Sequence, residues 1–341
     1  MVVSRRQVLR LYLSQPDREG RQGNHTISPL APRASRPART PSRPSEFGNH
    51  VRRGATTPKA EQPGGSLGHA SDLPENRDWT RALPALRARP AALVTDIDGT
   101  LSPIAPSPEE AEVLPECRRA LADLASVLSL VAVVSGRRVE EARRMVGLDQ
   151  LTYIGNHGLE RWDSAGGYRS EAERYAAPMM EALQALRHEL RGLTGVRLED
   201  KGTVISIHYR SSPQPAAALR AILEAIKRAL PQDGVIIAEG KMVVEVRPPL
   251  AIDKGTVVRD LVREHGLRGI VYLGDDLTDI DAFRAVRELR EEGEVLGLTA
   301  GVAGAEAPAA LADVSDILLT GPQAASQFLQ ALSQALSEEP A

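Results

Sequence analysis

The sequence predicts an α/β fold: a doubly wound parallel sheet, interrupted by an inserted α+β domain and preceded by a disordered tail. Three observations support this prediction. Short apolar strands alternate with helical segments near both ends of the folded part, which is typical of helices on both faces of a parallel sheet. An antiparallel strand pattern occupies the middle of the chain. The first 75 residues contain nine prolines and few large apolar side chains.

The N-terminal segment, residues 1–80, is predicted to be a disordered basic tail. Residues 1–75 carry 12 Lys or Arg against 6 Asp or Glu. A segment so poor in apolar surface cannot offset the entropy lost on ordering. Its beginning, Val2–Leu13, also fits a transit peptide. A short helix at Trp79–Arg89 is predicted to pack on the first domain.

Composition excludes several classes of protein. The formal charge is −3 at pH 7 and the excess of basic residues is confined to the tail, so no nucleic-acid partner is expected. No stretch reaches the roughly 18 apolar residues of a membrane helix, so no membrane association is expected. Cys117 is the single cysteine, which excludes a disulfide framework and favours a cytoplasmic location.

The strand Ala91–Thr95 is the predicted centre of the sheet, because its uncharged residues suit burial on both faces. Asp96 and Asp98 follow it with their side chains on the same side, and Gly99 permits a sharp turn. A hairpin turn is the alternative, but the proline-containing segment 101–108 offers no partner strand. Two carboxylates at a strand end therefore indicate a cation site.

The rest of the first half continues the alternation of helices and strands. The predicted elements are a helix at Pro108–Ser126, a strand at Leu128–Val134, a helix at Val139–Val146 and a strand at Leu151–Ile154. Ligands bind beyond the carboxyl ends of parallel strands, so polar residues after these strands are site candidates. These are Ser135, Arg137, Asn156 and His157.

The middle of the chain, residues 159–247, is predicted to be an inserted cap domain with a largely antiparallel sheet. Its predicted elements are a hairpin at Leu159–Glu171, helices at Pro178–Gly192 and Pro215–Leu230, and strand pairs at Val196–Arg210 and Val235–Arg247. Strand alternation places Ile205, Ile207 and Tyr209 on an apolar face. The opposite face displays Glu199, Lys201, His208, Lys241 and Glu245, and it is either an ordinary solvated face or a lid over a site.

The first pattern returns after the cap, so the core domain is predicted to comprise residues 85–158 and 248–338. Its second part is predicted to contain helices at 254–265, 277–288 and 323–336 and strands at 269–273, 294–299 and 315–319. The strand at 269–273 leads into Asp275, Asp276 and Asp279. Closure of the cap on hinges near Gly158 and Pro248-Pro249 is expected.

The acids at the strand ends support phosphoryl transfer. Hard oxygen ligands without cysteine favour Mg²⁺. A carboxylate beside Mg²⁺ can attack phosphorus, and an acid two residues later can protonate the leaving oxygen. Ser135 and Lys254 are candidates for holding the phosphoryl oxygens. A turn serine and a surface lysine are the ordinary alternatives, but the order DxDGT, SGR, DKG and GDDxTD favours the catalytic interpretation.

That order of motifs resembles the haloacid dehalogenase superfamily of aspartate-nucleophile phosphatases over roughly residues 91–335. The resemblance implies that Asp96 is the nucleophile, Asp98 the general acid and base, and Ser135 and Lys254 phosphate ligands. It further implies that Mg²⁺ is bound by the side chains of Asp96 and Asp275 and by the backbone carbonyl of Asp98. Asp276 and Asp279 are neighbouring acids. The presence of Asp98 argues against a dehalogenase.

The inserted domain looks like that of trehalose-6-phosphate phosphatases in segments 153–158, 199–202, 208–210 and 240–248. The resemblance implies trehalose 6-phosphate as the substrate, trehalose and phosphate as products, and a trehalose-6-phosphate synthase as a candidate partner. The implied substrate-binding residues are Arg137, Asn156, His157, Glu199, Lys201, His208, Lys241 and Glu245. Another sugar phosphate (sucrose phosphate, mannosylglycerate phosphate or a monosaccharide phosphate) and a non-catalytic sugar-phosphate sensor remain as alternatives.

Overall fold

The computed structural model describes residues 78–105, 107–231, 234–305 and 307–338. The predicted tail and the alternative transit peptide therefore lie outside the described residues, apart from the last positions of the tail. Those positions open a 3₁₀ helix at Asp78–Ala82, which leads into a short α-helix. Buried Ala85 and Leu86 of that helix belong to the apolar core, so this segment packs on the first domain as predicted.

The described residues form twelve strands and nine α-helices. The strands are β1 (Ala91–Thr95), β2 (Leu130–Val134), β3 (Thr152–Gly155), β4 (Glu160–Asp163), β5 (Gly167–Ser170), β6 (Arg197–Asp200), β7 (Ile205–His208), β8 (Ile236–Gly240), β9 (Val243–Arg247), β10 (Gly269–Gly274), β11 (Leu296–Val302) and β12 (Ile317–Leu319). The helices are α1 (Leu83–Arg87), α2 (Pro115–Val127), α3 (Val139–Val146), α4 (Ala176–Glu189), α5 (Pro215–Ala229), α6 (Lys254–His265), α7 (Leu277–Glu291), α8 (Ala310–Val314) and α9 (Gly321–Ser337).

The main sheet has eight strands in the order β12–β11–β10–β1–β2–β3–β4–β5. The strands from β12 to β3 are parallel, and β4 and β5 pair antiparallel at one edge. Strand β1 lies at the centre, paired with β10 on one side and β2 on the other. The carboxyl ends of these three strands therefore meet at one edge, as predicted.

Helices cover both faces of the main sheet, because its central strands are apolar on both sides. Ala91 and Leu93 of β1 pack with α1, α2, α3 and α9 on one face. Ala92 and Val94 pack with α6, α7 and α8 on the other. This is the doubly wound arrangement that the alternating pattern predicts. No helix in the described part of the chain combines the length and apolar character that a membrane crossing requires.

A second, four-stranded antiparallel sheet has the order β6–β7–β9–β8 and is called the cap sheet below. Its apolar face packs against helices α4 and α5 through Ile205, Ile207, Val244 and Val246. The predicted apolar face of Ile205, Ile207 and Tyr209 is confirmed, since all three belong to this apolar core. The charged face of the cap sheet is thereby turned away from its own helices.

The hairpin of β4 and β5 differs from the prediction. It was expected in the sheet of the inserted domain, but it extends the main sheet, since β4 pairs with β3. The physical reason is the short connection at Asn156–Gly158, which returns the chain directly alongside β3. The boundaries of the two domains, 85–158 with 248–338 and 159–247, remain a prediction.

The helix predicted at Pro108–Ser126 begins later than expected. Residues Pro108–Glu110 form a separate 3₁₀ turn, and α2 starts at Pro115. Proline disfavours helical backbone in the residue before it, and Leu114 accordingly has a ψ of 131°. Proline itself suits the first turn of a helix, where its missing N–H is not needed. The two prolines therefore mark two separate helical starts.

Candidate active site

The two aspartates after β1 lie at the carboxyl edge of the main sheet. Asp96 is 5% exposed, and its backbone N–H donates to the Leu273 carbonyl of β10 at 3.0 Å. Gly99 turns the chain with a φ of +86°, and a Cβ at this position would collide with the carboxylate of Asp275. Glycine is therefore required here both for the backbone conformation and for the close approach of a second acid.

Three buried carboxylates meet at this edge. Asp96, Asp275 and Asp279 each offer an oxygen, and these oxygens all lie within 4.8 Å of one another. Asp275 follows β10, and Asp279 lies in the first turn of α7. Asp276 begins α7 as its N-cap residue and forms a capping box with Asp279. This cap directs the Asp279 side chain back toward the strand ends.

Lys254 compensates part of this negative charge. It is 2% exposed, and its Nζ donates to Asp96 Oδ1 and to Asp279 Oδ1, both at 2.7 Å. Asp253 caps the start of α6 with Thr256 and so fixes the position of Lys254 at the start of the helix. Burial alone would lower the pKa of Lys254, but the two carboxylates raise it above its ordinary value.

Lys254 does not fully compensate the negative charge of these three acids. Burial raises the pKa of Asp96 well above its ordinary value, and Asp279 and Asp275 add to this against the opposing charge of Lys254. Burial and the charge of Asp279 also raise the pKa of Asp275 to about 7, although Lys241 opposes them. The raised pKa values mean that the ionised carboxylates are destabilised in this buried site, so a bound cation would stabilise them.

The residues fit a divalent metal ion. Asp275 Oδ1 is buried and accepts no hydrogen bond from any described residue. An orphaned carboxylate oxygen beside Asp96 and Asp279 supplies the hard oxygen ligands that divalent cations of the magnesium and calcium type prefer. Asp279 Oδ1 is already engaged by Lys254 and by the hydroxyl of Tyr272 at 2.9 Å. Asp96 and Asp275 are therefore the better placed ligands.

The second strand end contributes Ser135 and Arg137. Ser135 is almost fully buried and lines the cavity described below. Arg137 holds Asp98 through two parallel hydrogen bonds, from Nε to Oδ2 at 2.7 Å and from Nη2 to Oδ1 at 2.8 Å. This planar pairing fixes the orientation of the Asp98 carboxylate. In this structure Arg137 thus contacts the predicted general acid.

The third strand end contributes Asn156 and His157, which lie in different surroundings. His157 lines the cavity, and its Nε2 lies 3.2 Å from Glu245 Oε2 of the cap sheet. Burial and the charge of Arg247 lower the pKa of His157 to about 4, so the imidazole is neutral at pH 7. Its Nε2–H donates a hydrogen bond to Glu245. Asn156 is fully buried and turned away from the cavity wall, toward Glu160.

Glu245 is the centre of a charged cluster on the cap sheet. Its carboxylate accepts from Ser206 Oγ at 3.2 Å, from Arg247 Nε at 2.9 Å and from Lys201 Nζ at 3.5 Å. Burial would raise the pKa of Glu245, but Arg247, His157 and Lys201 hold it well below its ordinary range. Glu245 is therefore an anion fixed in place. Arg247 shares its face of the strand and was missed as a site candidate, although the alternation of β9 places it there.

The remaining candidates also face the core. Lys241 Nζ donates to Asp275 Oδ2 at 2.7 Å across the two sheets. His208 Nε2 and Glu199 Oε2 lie 2.6 Å apart. Lys201 Nζ donates to the carbonyl of Gly136, in the loop after β2, at 3.0 Å. The charged face of the cap sheet is thus a lid over the strand ends.

A single cavity of about 670 Å³ joins these groups. The predicted residues that line it are Asp96, Asp98, Ser135, Arg137, His157, Glu199, Lys201, His208, Lys241, Glu245, Lys254, Asp275 and Asp276. Of the predicted site residues, only Asn156 and Asp279 lie outside its lining. A volume of this size suits a small organic ligand, with acids and a lysine at one end and polar side chains at the other.

Comparisons with known proteins agree with this arrangement. The family model described as trehalose-phosphatase matches residues 94–313. A trehalose-phosphate phosphatase of Mycolicibacterium paratuberculosis is 33% identical over 275 residues, which are 78% of this chain and 68% of that protein. A probable trehalose-phosphate phosphatase of Oryza sativa is 29% identical over 261 residues, 70% of each chain.

A solved structure supports the fold. The C-terminal domain of the Candida albicans trehalose-6-phosphate phosphatase superposes with a TM-score of 0.65 and 20% identity. The match covers 77% of this chain and 99% of that domain. At this identity the superposition establishes the shared architecture alone.

Proposed function

This chain belongs to the trehalose-phosphatase family, and on that premise we propose that it hydrolyses trehalose 6-phosphate to trehalose and inorganic phosphate. It is accordingly a phosphoric monoester hydrolase. The observation that carries the proposal is the shared cavity, in which buried Asp96 and Lys254 face the charged side of the cap sheet. One end of the cavity suits a phosphoryl group and the other suits sugar hydroxyls.

In the proposed reaction, an Asp96 carboxylate oxygen attacks phosphorus and forms an aspartyl phosphate. Asp98 gives its proton to the leaving sugar oxygen, and it later takes a proton from the water that attacks the aspartyl phosphate. Phosphate then leaves, and Asp96 returns as a carboxylate. Both oxygens of Asp98 accept from Arg137 at the cavity wall, so Asp98 acts as the acid only when it carries a proton and one of these two hydrogen bonds is released.

The charge that develops on the phosphoryl oxygens is met by Lys254 and by the hydroxyl of Ser135. Lys254 already contacts Asp96, so a phosphoryl group on Asp96 lies within its reach. We assign the metal as Mg²⁺, held by the side chains of Asp96 and Asp275 and by the backbone carbonyl of Asp98. When bound, it supplies positive charge for the phosphoryl oxygens.

The sugar end of the cavity is lined by charged side chains of the cap sheet. Glu199 and His208 form one pair, and Lys201 and Glu245 form another. Such pairs offer fixed donors and acceptors to the hydroxyls of a disaccharide. A trehalose-6-phosphate synthase as partner and a cytoplasmic location remain part of the proposal.

A phosphate-release panel tests the proposal. Trehalose 6-phosphate, sucrose 6-phosphate, mannosylglycerate phosphate and glucose 6-phosphate are compared with and without Mg²⁺. We expect kcat/KM for trehalose 6-phosphate to exceed the others by at least about tenfold, since a site built on hydroxyl contacts rejects sugars that leave them unpaired. Preference for another sugar phosphate would overturn the substrate assignment. Tight binding without Mg²⁺-dependent turnover would identify a sensor instead.

A further inference from the structure

Asn156 stands at the point where the chain leaves the parallel part of the main sheet. It is fully buried, and its φ of +47° lies in the left-handed region, as does that of His157 at +58°. Non-glycine residues adopt this region at an energetic cost, which the surrounding structure must offset. The contacts that hold Asn156 in this conformation therefore need an explanation, and Asn156 does not line the cavity.

The hydrogen bonds of Asn156 join three separate segments. Its backbone N–H donates to the carbonyl of Arg137, in the loop after β2, at 2.7 Å. Its side-chain Nδ2 donates to Glu160 Oε1 at 2.7 Å and to the carbonyl of Lys201 at 3.2 Å. Asn156 thus links two segments: its backbone holds the loop that carries the proposed phosphate ligand, and its side-chain amide holds the turn between β6 and β7 of the cap sheet.

Glu160 orients that amide. It is 3% exposed, and its Oε2 accepts the backbone N–H of Val139, the first residue of α3, at 3.0 Å. The N-cap residue of α3, Arg138, makes no capping hydrogen bond from its side chain. Glu160 therefore takes the place of a helix cap with one oxygen and accepts from Asn156 with the other.

The Lys201 contact reaches the cavity. The Lys201 carbonyl accepts from Asn156, and the Nζ of the same residue donates to the carbonyl of Gly136 and to Glu245. Both Gly136 and Glu245 line the cavity. A shift of the Lys201 backbone would move a sugar-facing charge relative to the phosphate end. The spacing between the two ends of the cavity thus depends on Asn156, which contacts residues of both ends and does not itself line the cavity.

We propose that Asn156, oriented by Glu160, is a positioning residue that sets the Lys201 turn against the loop at Ser135–Arg137 and thereby sets selectivity for a disaccharide phosphate over a small phosphate ester. This rests on the proposed function, because selectivity is defined there by the sugar end of the cavity. The prediction concerns the ratio of two substrates and not activity alone.

The test compares trehalose 6-phosphate with 4-nitrophenyl phosphate, which has no sugar to contact the cap sheet. In Asn156→Asp, an oxygen replaces the Nδ2 that donated both hydrogen bonds, so the Lys201 carbonyl loses its donor and the contact with Glu160 becomes one between two buried carboxyl groups that must share a proton. We expect kcat/KM for the sugar phosphate to fall by about tenfold or more, mainly through KM. The value for the aryl phosphate should stay within about twofold of the parent protein.

An exchange of the two side chains separates positioning from stability. In Asn156→Asp/Glu160→Gln, the new glutamine amide donates to the new aspartate while its carbonyl still accepts from Val139, so the core hydrogen bonds return with reversed polarity. The Lys201 carbonyl still faces a carboxylate oxygen. We expect the melting temperature to recover toward that of the parent protein while KM for the sugar phosphate stays raised.

Asn156→Gly is a second variant in case Asn156→Asp does not fold. Glycine adopts a positive φ without strain, so this substitution removes only the side-chain hydrogen bonds. It should also raise KM for the sugar phosphate selectively. Gln330→Ala is the control, since Gln330 makes an amide hydrogen bond to Ser326 within α9.

Equal losses for both substrates, or full kinetic recovery in the exchange variant, would overturn the positioning role. Failure of the parent protein to hydrolyse trehalose 6-phosphate would overturn the proposed function instead. The ratio of kcat/KM for the sugar phosphate it prefers to kcat/KM for 4-nitrophenyl phosphate would then test the positioning role.

Discussion

Lys241, in the turn between β8 and β9 of the cap sheet, forms an ion pair with Asp275 of the core, with Nζ 2.7 Å from Oδ2. Lys241 Nζ also lies 3.9 Å from Asp276 Oδ1. Burial would lower the pKa of Lys241, but Asp275 and Asp276 raise it above its ordinary value. A cation of the cap sheet therefore pairs with a carboxylate that a metal ion would use. The position of the cap sheet and the occupancy of the metal site are linked through this one contact.

Asp96→Asn should abolish turnover and leave the fold intact. The amide cannot attack phosphorus, so we expect phosphate release to fall by at least about 10³-fold. Lys254 keeps its contact with Asp279, so circular dichroism and the melting temperature should change little. Asp260→Asn is the matched control, since Asp260 pairs with Arg263 at the surface of α6. Undiminished phosphate release by Asp96→Asn would exclude Asp96 as the nucleophile.

The pKa of Asp275 predicts how stability without metal depends on pH. Burial and Asp279 raise this pKa from 3.8 to about 7, so between these values the folded protein holds a proton that the unfolded chain has released. Stability therefore falls as pH rises through this window and stays reduced above it. In a chelator at pH 8, Asp275→Asn should raise the melting temperature by about 2–4 °C, the effect of about 1 kcal/mol.

Two comparisons check this origin of the effect. The advantage of Asp275→Asn should shrink as the pH falls from 7 to 3.8 and disappear well below pH 3.8, where the carboxyl is protonated in both states. Added Mg²⁺ should raise the melting temperature of the parent protein and leave that of the variant unchanged, since the ligand is lost. A variant that is less stable than the parent at every pH would show that the Lys241 ion pair outweighs the cost of burying Asp275.

Short-range patterns were sufficient to predict the strand ends and the acids that follow them. Asp96, Asp98 and Asp275 each follow a short apolar strand directly, so the parallel sheet alone brings them to one edge. The charged face of the cap sheet was also predictable, because alternation along β7 and β9 assigns each side chain to a face. These inferences needed only local sequence and the fold class.

Contacts between distant segments could not be predicted in the same way. The Lys254–Asp279 bond depends on how α6 packs beside α7, and the Asn156–Glu160 bond depends on β4 joining the main sheet. The prediction placed that hairpin in the other domain, which concealed Glu160 as a partner. Local patterns give the direction of a side chain, but tertiary packing decides what it meets.

Arg137→Lys should impair the proton transfers assigned to Asp98. Lysine keeps the charge but cannot form two parallel hydrogen bonds to one carboxylate, so Asp98 loses its fixed orientation. We expect kcat to fall by about 10- to 100-fold for trehalose 6-phosphate, within the usual contribution of general acid catalysis. The first step should be slowed less for a substrate whose leaving group needs no proton, such as the 4-nitrophenolate of 4-nitrophenyl phosphate.

The control for Arg137→Lys is Arg169→Lys, which changes an arginine paired with Asp163 in the β4–β5 hairpin. It should leave the kinetics unchanged. Equal losses in the first step, measured as the single-turnover rate of leaving-group release, would contradict a role for Arg137 in proton transfer to the leaving group and favour its predicted contact with the substrate.

Lys241→Met should tighten metal binding to the substrate-free protein and weaken binding of the sugar phosphate. The variant removes a cation 2.7 Å from Asp275 Oδ2, so a divalent ion no longer competes with it for that carboxylate. We expect Kd for Mg²⁺ to fall by about three- to tenfold in calorimetric titrations, which corresponds to about 1 kcal/mol. KM for trehalose 6-phosphate should rise because the cap sheet loses one of its contacts with the core. Lys227→Met, which changes a lysine beside Glu224 on α5, should alter neither quantity. If Lys241→Met left Mg²⁺ affinity unchanged while KM rose, Lys241 would contribute to substrate binding alone, and the link between the cap sheet and the metal site would be refuted.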